Sequence, residues 1–402
     1  MDGFFHGKTR DWTAVVGEVI EAAPAGLDLR DAEHLDFARR TAERFLSTCS
    51  SADDLDHLEE SLLQRRDEVP LGVHLAAKLA KSRRLLEGIE RTRETSDAGA
   101  PPRRVTVVFA MYREHERILP LERCEHGEDF LVRKIKQLAW LFGDLPSFEW
   151  QLVAVDDGCP VGSGRAAQEI LAQRAVSAPA RVLFLENGIR EGSPVTVDLS
   201  STDDSRKGGS IQYGMLTAAS EPGSSDHIIA FTDADLSTHL GQLGLLIDPI
   251  LVGGSDAAIG SRREPQSVVV KGGARNERGK KFIALWKQML PLLGDITDTQ
   301  CGFKAWRADA VLEILPDLIE HQFAFDVELL IKTELRRSAS ITRVPIAWID
   351  SEAASTTPEF DPYLGMLKSI AAMYRRYLPG DAIADEVADL VERATRAGEV
   401  LG

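Results

Sequence analysis

The chain has 402 residues, 44% of them hydrophobic, which is enough for one large domain or two to three smaller ones around a sizeable core. Lysine and arginine total 47 against 63 aspartate and glutamate, a formal charge of -16, which argues against nucleic acid or anionic lipid as a partner held by general electrostatics. Residues 1–10 lack the basic-then-apolar order of a signal peptide, no window is long and apolar enough to span a bilayer, and Cys49, Cys124, Cys159 and Cys301 show no paired spacing. The expectation is a cytoplasmic protein with reduced thiols and no transmembrane anchor.

From Asp11 to about Arg93 apolar residues recur at helical spacing, as in Leu55, Leu58, Leu62 and Leu63, and Ser51 followed by acidic residues is a good helix start. Three or four helices are expected in a region spanning residues 1–100. Their role is packing or self-association into a homo-oligomer, with acceptor recognition as the alternative. The Ala-Gly-Ala-Pro-Pro stretch within 92–104 has the composition of a linker.

Strand and helix then alternate through a catalytic domain spanning 103–350. Val105–Met111, Gln151–Val155, Arg181–Glu186 and the run ending at Thr232 read as buried strands; helices are expected from near Glu128, from Gly162–Gly164 and after Gly209. Asp256–Gly260 and Ile341–Ile349 are further strands, 294–302 is a polar loop and Phe325–Arg336 a helix. Such a series predicts an α/β fold with a mostly parallel, Rossmann-like sheet flanked by helices, whose ligands bind beyond the carboxyl ends of the strands. Residues 351–402 form a C-terminal helical segment.

Two pairs of carboxylates fall at such strand ends. Asp233 and Asp235, one residue apart, offer the minimum that Mg or Mn needs when phosphates and water complete its shell. Asp156 and Asp157, beside Gly158, are placed to accept hydrogen bonds from a base or ribose, or else to cap the following helix. Lys207-Gly208-Gly209 opens a helix where backbone N–H groups can approach an anion. Arg262, Arg263, Lys271, Arg275, Arg278, Lys280 and Lys281 form a basic cluster that is either a solvated face or a clamp for an anionic acceptor or leaving group.

Seven short motifs run in order: Tyr112-Arg-Glu-His-Glu116, Val155-Asp-Asp-Gly158, Arg206-Lys-Gly-Gly-Ser210, Phe231-Thr-Asp-Ala-Asp235, Gly260-Ser-Arg262, Asp298-Thr-Gln-Cys-Gly-Phe-Lys304 and Phe323-Ala-Phe-Asp-Val-Glu-Leu329. In these the segment from about Arg104 to Tyr377 resembles family 2 glycosyltransferases of the GT-A fold, most nearly the dolichyl-phosphate glucosyltransferase and polyprenyl-phosphate mannosyltransferase branch. The resemblance implies an inverting transferase using a UDP- or GDP-linked sugar. Ala110, Tyr112, Glu114, Asp156, Asp157, Lys207 and Gly208 would hold the donor nucleotide together with Asp233 and Asp235. The last two, with Ser237, would hold the metal. Arg262, Arg275, Gln300, Gly302 and Asp326 would line the acceptor side. Asp326 or Glu328 would serve as general base for a hydroxyl acceptor, whereas a phosphate acceptor needs none.

The chain departs from its relatives at Asp157-Gly-Cys-Pro-Val161 and in the long 186–206 region, it shows no anchor, and it carries an added helical region. These departures favour a soluble small-molecule acceptor, such as a natural-product intermediate. The alternatives are a polyprenyl- or dolichyl-phosphate transferase acting peripherally at a membrane, a sugar-1-phosphate nucleotidyltransferase, and a non-catalytic scaffold.

Overall fold

The structure is a computed structural model that describes residues 12–96, 99–175, 177–223, 226–270, 277–350 and 362–401. Four helices come first, α1 (Thr13–Glu21), α2 (Ala32–Thr48), α3 (Ala52–Gln64) and α4 (Leu71–Ser96). The Ser51 and Asp54 side chains cap α3 reciprocally, satisfying backbone donors at both ends of the box. The leucines read from the sequence, Leu55, Leu58 and Leu62, are buried against Phe45 and Val73.

This bundle is continuous with the rest of the chain. Its core includes Val268 and Ala347 from far along the chain, and the Ser82 hydroxyl of α4 accepts the Gly244 N–H at 2.8 Å. A Cβ on Gly244 would sit 2.3 Å from the Ser82 carbonyl oxygen, so glycine there permits the close approach of α4.

The α/β series follows as β1 (Arg103–Met111), α5 (Phe130–Phe142), β2 (Phe148–Asp156), α6 (Ser163–Arg174), β3 (Ala180–Phe184), α7 (Leu185–Glu191), α8 (Gly208–Ala219), β4 (His227–Thr232), α9 (Gly244–Leu251), β5 (Ala257–Ser261), β6 (Val268–Val270) and α10 (Glu277–Met289). It continues with β7 (Phe303–Arg307), α11 (Ala308–Ile314), α12 (Phe325–Arg336), β8 (Ile341–Pro345) and β9 (Ala347–Ile349), and closes with α13 (Pro362–Tyr377), α14 (Ala382–Arg393) and α15 (Gly398–Leu401). Seven strands form one sheet in the order β3-β2-β1-β4-β7-β5-β8, all parallel to their neighbours except β7, while β6 and β9 pair in parallel apart from it. This is the expected mostly parallel sheet between helices.

Three elements differ from the sequence reading. The strand expected over Ile341–Ile349 breaks at Ile346 into β8 of the main sheet and β9 beside β6. The strand expected over Arg181–Glu186 ends at Phe184, and Leu185 begins α7, which packs on α8 where a Cβ at Gly188 would meet the Tyr213 ring at 2.7 Å. Strand β7, absent from the expectation, is inserted antiparallel between β4 and β5 and buries the Trp306 ring stacked on Phe231, centroids 5.8 Å apart. Among the described residues no helix is long and apolar enough to cross a membrane.

Acid should destabilise this sheet. His227 at the start of β4 is buried, its Nε2 lies 2.9 Å from Thr106 Oγ1, and burial with help from Arg104 pulls its pKa from 6.5 down to about 4. The unfolded chain therefore takes up the proton first, so the stability held by the neutral imidazole is complete above pH 6.5 and is lost as pH falls towards 4. At pH 5 the loss should be about 2 kcal/mol. Urea midpoints at pH 7 and pH 5 should differ less in His227→Gln than in the wild type, and equal differences would refute the assignment.

Candidate functional site

The antiparallel sense of β7 creates the site. Thr232 at the carboxyl end of β4 pairs with Phe303 at the start of β7, so the turn at 298–302 is delivered beside Asp233 and Asp235. The Asp233 N–H donates to the Gly302 carbonyl at 3.1 Å, and a Cβ at Gly302 would stand 2.3 Å from the Asp233 carboxylate. Only glycine allows that approach. Gly302 thus packs directly on Asp233.

Lys207 ion-pairs with Asp233 through its ammonium group. Burial pushes the Asp233 carboxyl up, but Lys207, with Lys304 and Arg262 beyond, outweighs it and holds the group below its ordinary range. Lys207 sits at φ 76° just before α8, a left-handed conformation that side chains other than glycine rarely adopt, and its N–H donates to Asp157 Oδ2 at 2.9 Å. Asp157 Oδ1 accepts the hydroxyls of Ser205 and Ser210, each at 2.6 Å. Asp156 accepts the N–H groups of Cys159 at 2.9 Å and Gly164 at 2.6 Å, which caps α6. Both members of this pair therefore hold their own loops; the helix-entry role is the one that Asp156 performs.

On the far side, Asp235 Oδ1 accepts the Ser237 N–H at 3.0 Å and its hydroxyl at 2.6 Å. Ser237 thereby orients Asp235. The Asp235 carbonyl is held by Lys134 Nζ at 2.7 Å, a fully buried ammonium whose pKa burial lowers to about 8. Glu114 lies close by, raised to about 7 by burial despite Arg117, which approaches it at 3.2 Å. Ala110 lies near the end of β1 and is half-buried; Tyr112, one residue past it, is exposed. Gly208 opens α8 against the backbone of His321, which accepts the Arg206 and Gly209 N–H groups.

Asp326, which the resemblance assigned to the acceptor, is buried and both its oxygens are engaged, Oδ2 by Lys304 Nζ at 3.0 Å and Oδ1 by Gln300 Nε2 at 2.6 Å. Burial raises its pKa against the pull of Lys304. Glu328, two residues on and so across the helix, accepts the N–H groups of Ile319 and Glu320, both at 2.9 Å, and the Tyr377 hydroxyl at 2.5 Å. It ties α12 to α13 through the Tyr377 hydroxyl.

Arg262 makes a forked pair with Asp298, at 2.8 and 2.6 Å, and lies 5.1 Å from the Trp348 ring centroid. Arg275 and Lys271 fall outside the described residues. Lys280 and Lys281 are exposed on α10, and among the described residues of the basic cluster Arg262 reaches the site. The sequence reading missed Lys134 and Trp348, and it quoted Asp298 and Lys304 in a motif without giving either a role. For Lys304 a signal was present, a lysine inside the apolar alternation Phe303-Lys-Ala-Trp306, where burial demands a partner.

No protein-family model matches the chain. Dolichyl-phosphate beta-glucosyltransferase of Saccharomyces cerevisiae is 26% identical over 289 residues, covering 69% of this chain and 75% of that protein. The Homo sapiens protein of the same name is 24% identical over 294 residues, covering 70% of this chain and 78% of that one. The chain carries a glycosyltransferase catalytic domain. Glycosyltransferase AglD of Haloferax volcanii is 26% identical to this transferase domain over 202 residues, 48% of this chain, and the chain spans 30% of AglD. Glucosyl-3-phosphoglycerate synthase from Mycobacterium tuberculosis, solved in complex with Mn2+, UDP and glucosyl-3-phosphoglycerate, aligns with 74% of this chain and 85% of its own at a TM-score of 0.48 and 19% identity.

Proposed function

We propose that the domain moves a hexosyl group from a UDP- or GDP-linked sugar to a phosphate-bearing acceptor by single displacement, with inversion. The observation that carries this reading is the state of Asp326. It is the carboxylate beside the acceptor side of the aspartate pair, and both its oxygens already receive donors, one of them the buried Lys304 ammonium. A base held as an ion pair is poorly placed to take a proton, whereas an acceptor phosphate is ionised and needs no base. The dolichyl-phosphate acceptor in the relatives' names supports the same chemistry.

Asp233 and Asp235 fit a Mg or Mn ion. Asp233 already faces a cation in Lys207, and Asp235 Oδ2 makes no hydrogen bond among the described residues. No group of three or more His, Cys, Asp or Glu is found among the described residues, so the remaining ligands fall to substrate phosphates and water, as is usual for these ions. When bound, the ion would neutralise charge on the leaving diphosphate. For this chain's own part, Lys207 brings a second positive charge to the same place, Lys134 fixes the Asp235 carbonyl, and Arg262, held flat by Asp298 and Trp348, offers its guanidinium to the acceptor phosphate.

Turnover with UDP-glucose and GDP-mannose, with Mn present, tests the reading. Dolichyl phosphate and a water-soluble phosphate monoester are offered separately, beside an alcohol lacking phosphate. Transfer to either phosphate supports it, and the pair tells a lipid acceptor from a soluble one. Transfer to the alcohol alone would sink it. Pyrophosphate release from a nucleoside triphosphate and a sugar phosphate would instead mark a nucleotidyltransferase, and no turnover with any donor a scaffold. Arg262→Lys should raise the acceptor KM about tenfold while leaving the donor KM unchanged, since lysine cannot form the forked pair.

A further inference from the structure

A cavity of about 570 Å³ lies between the N-terminal helices and the outer face of α5. That is the size of a small-molecule site, and none of the residues assigned above to donor, metal or acceptor lines it. Leu35 of α2, Leu79 of α4 and Trp140 of α5 give it apolar walls. Of its charges, Asp36 pairs with Arg39 and Asp129 with Arg174, and Glu122 is exposed on the loop before α5.

Arg133 and Lys136 leave positive charge without a carboxylate in contact. Arg133 donates to the Arg30 carbonyl and keeps a buried Nε without a partner, and Lys136 makes no ion pair among the described residues. Gln137, 6% exposed, spends Oε1 on the Leu240 N–H at 2.9 Å, while its Nε2 makes no hydrogen bond among the described residues. In a chain of charge -16, a half-apolar cavity with spare cations and a spare amide donor is built for an anion.

The same wall supports the segment behind the aspartate pair. Gln137 holds Leu240, His239 on the cavity wall accepts the Gly241 N–H at 2.9 Å, and Lys134, about one turn before Gln137 on α5, holds Asp235. We propose that this cavity is an effector site for a small anion with a flat apolar body, held by Arg133, Lys136 and Gln137 against Trp140, and that its occupation stiffens residues 235–241. Binding here needs no glycosyl transfer; only an effect on donor affinity rests on the function proposed above.

The probe is anilinonaphthalene sulfonate, an anion on a flat apolar body, added to the full chain. The wild type should bind it saturably, and Lys136→Glu, at an exposed position, and Leu35→Trp, which fills the cavity, should each weaken it about tenfold. Bound dye should slow amide exchange of Leu240 and Gly241 severalfold in the wild type and leave it unchanged in Leu35→Trp. Absence of binding, or equal affinity in the wild type and both variants, would overturn the site. Bound dye with unaltered exchange at Leu240 and Gly241 would overturn the coupling.

Discussion

Asp235→Asn is expected to lower kcat/KM for sugar transfer by on the order of 10²–10³ while the protein keeps its melting temperature. The two halves of that expectation have separate causes. Asparagine keeps an acceptor oxygen, so the hydrogen bonds from the Ser237 N–H and hydroxyl to Oδ1 survive, and the backbone carbonyl held by Lys134 is untouched. What disappears is one unit of negative charge where the proposed mechanism holds a divalent ion and a diphosphate together. The stabilisation that Mn and a nucleoside diphosphate jointly give to the wild type should shrink in the variant, read as the ligand-induced shift in melting temperature. Wild-type rates in Asp235→Asn, or an undiminished Mn-dependent shift, would remove Asp235 from the metal site. Asp233→Asn is the poorer test, because it also strips Lys207 of its partner and disturbs the strained turn before α8.

The sequence carried the sheet and the placement of its acidic edge, since buried parallel strands are near-continuous apolar runs and the motifs stop where those runs stop. It could not carry β7. Phe303-Lys-Ala-Trp-Arg307 is a short run interrupted by two cations, and what makes it a strand is the slot between β4 and β5, a tertiary fact. The same limit applied to the site. Asp156, Asp157 and Glu328 look in sequence like other acidic stations, yet their hydrogen bonds go to Cys159 and Gly164, to Ser205, Ser210 and Lys207, and to Ile319, Glu320 and Tyr377. Residue type announces a carboxylate, and only the fold decides whether it meets solvent, ligand or its own loop. The roles of Asp298 and Trp348 were hidden for a related reason, since neither has meaning until Arg262 is laid between them.

Lys304→Met should cost about 3–5 kcal/mol of stability and lower the melting temperature by roughly 5–10 °C, more than any exposed charge substitution in this chain. Lys304 has no exposed side-chain surface and Asp326 is 6% exposed, so neither member of the pair has water to fall back on. Without the ammonium, the Asp326 carboxylate keeps only the Gln300 amide, and an uncompensated buried charge is what such a deletion leaves behind. The sign of the pH dependence follows. Burial already raises the Asp326 pKa above 3.8, and losing Lys304 removes the largest pull in the other direction. The folded variant then binds its proton more tightly than the unfolded chain does, so the deficit is largest at neutral pH and narrows as pH falls through the raised value. Urea denaturation at pH 7 and pH 5 reads this directly. Asp326→Asn added to Lys304→Met should recover most of the loss, since both charges are then gone; a double variant no better than Lys304→Met would mean that the damage lies elsewhere. The alternative locus is specific, because Lys304 Nζ also donates to the Cys301 carbonyl at 2.5 Å and so ties down the turn whose next residue, Gly302, touches Asp233. Stability recovered without recovery of metal-dependent donor binding would assign Lys304 two separable duties, neutralising Asp326 and holding that turn against the aspartate pair.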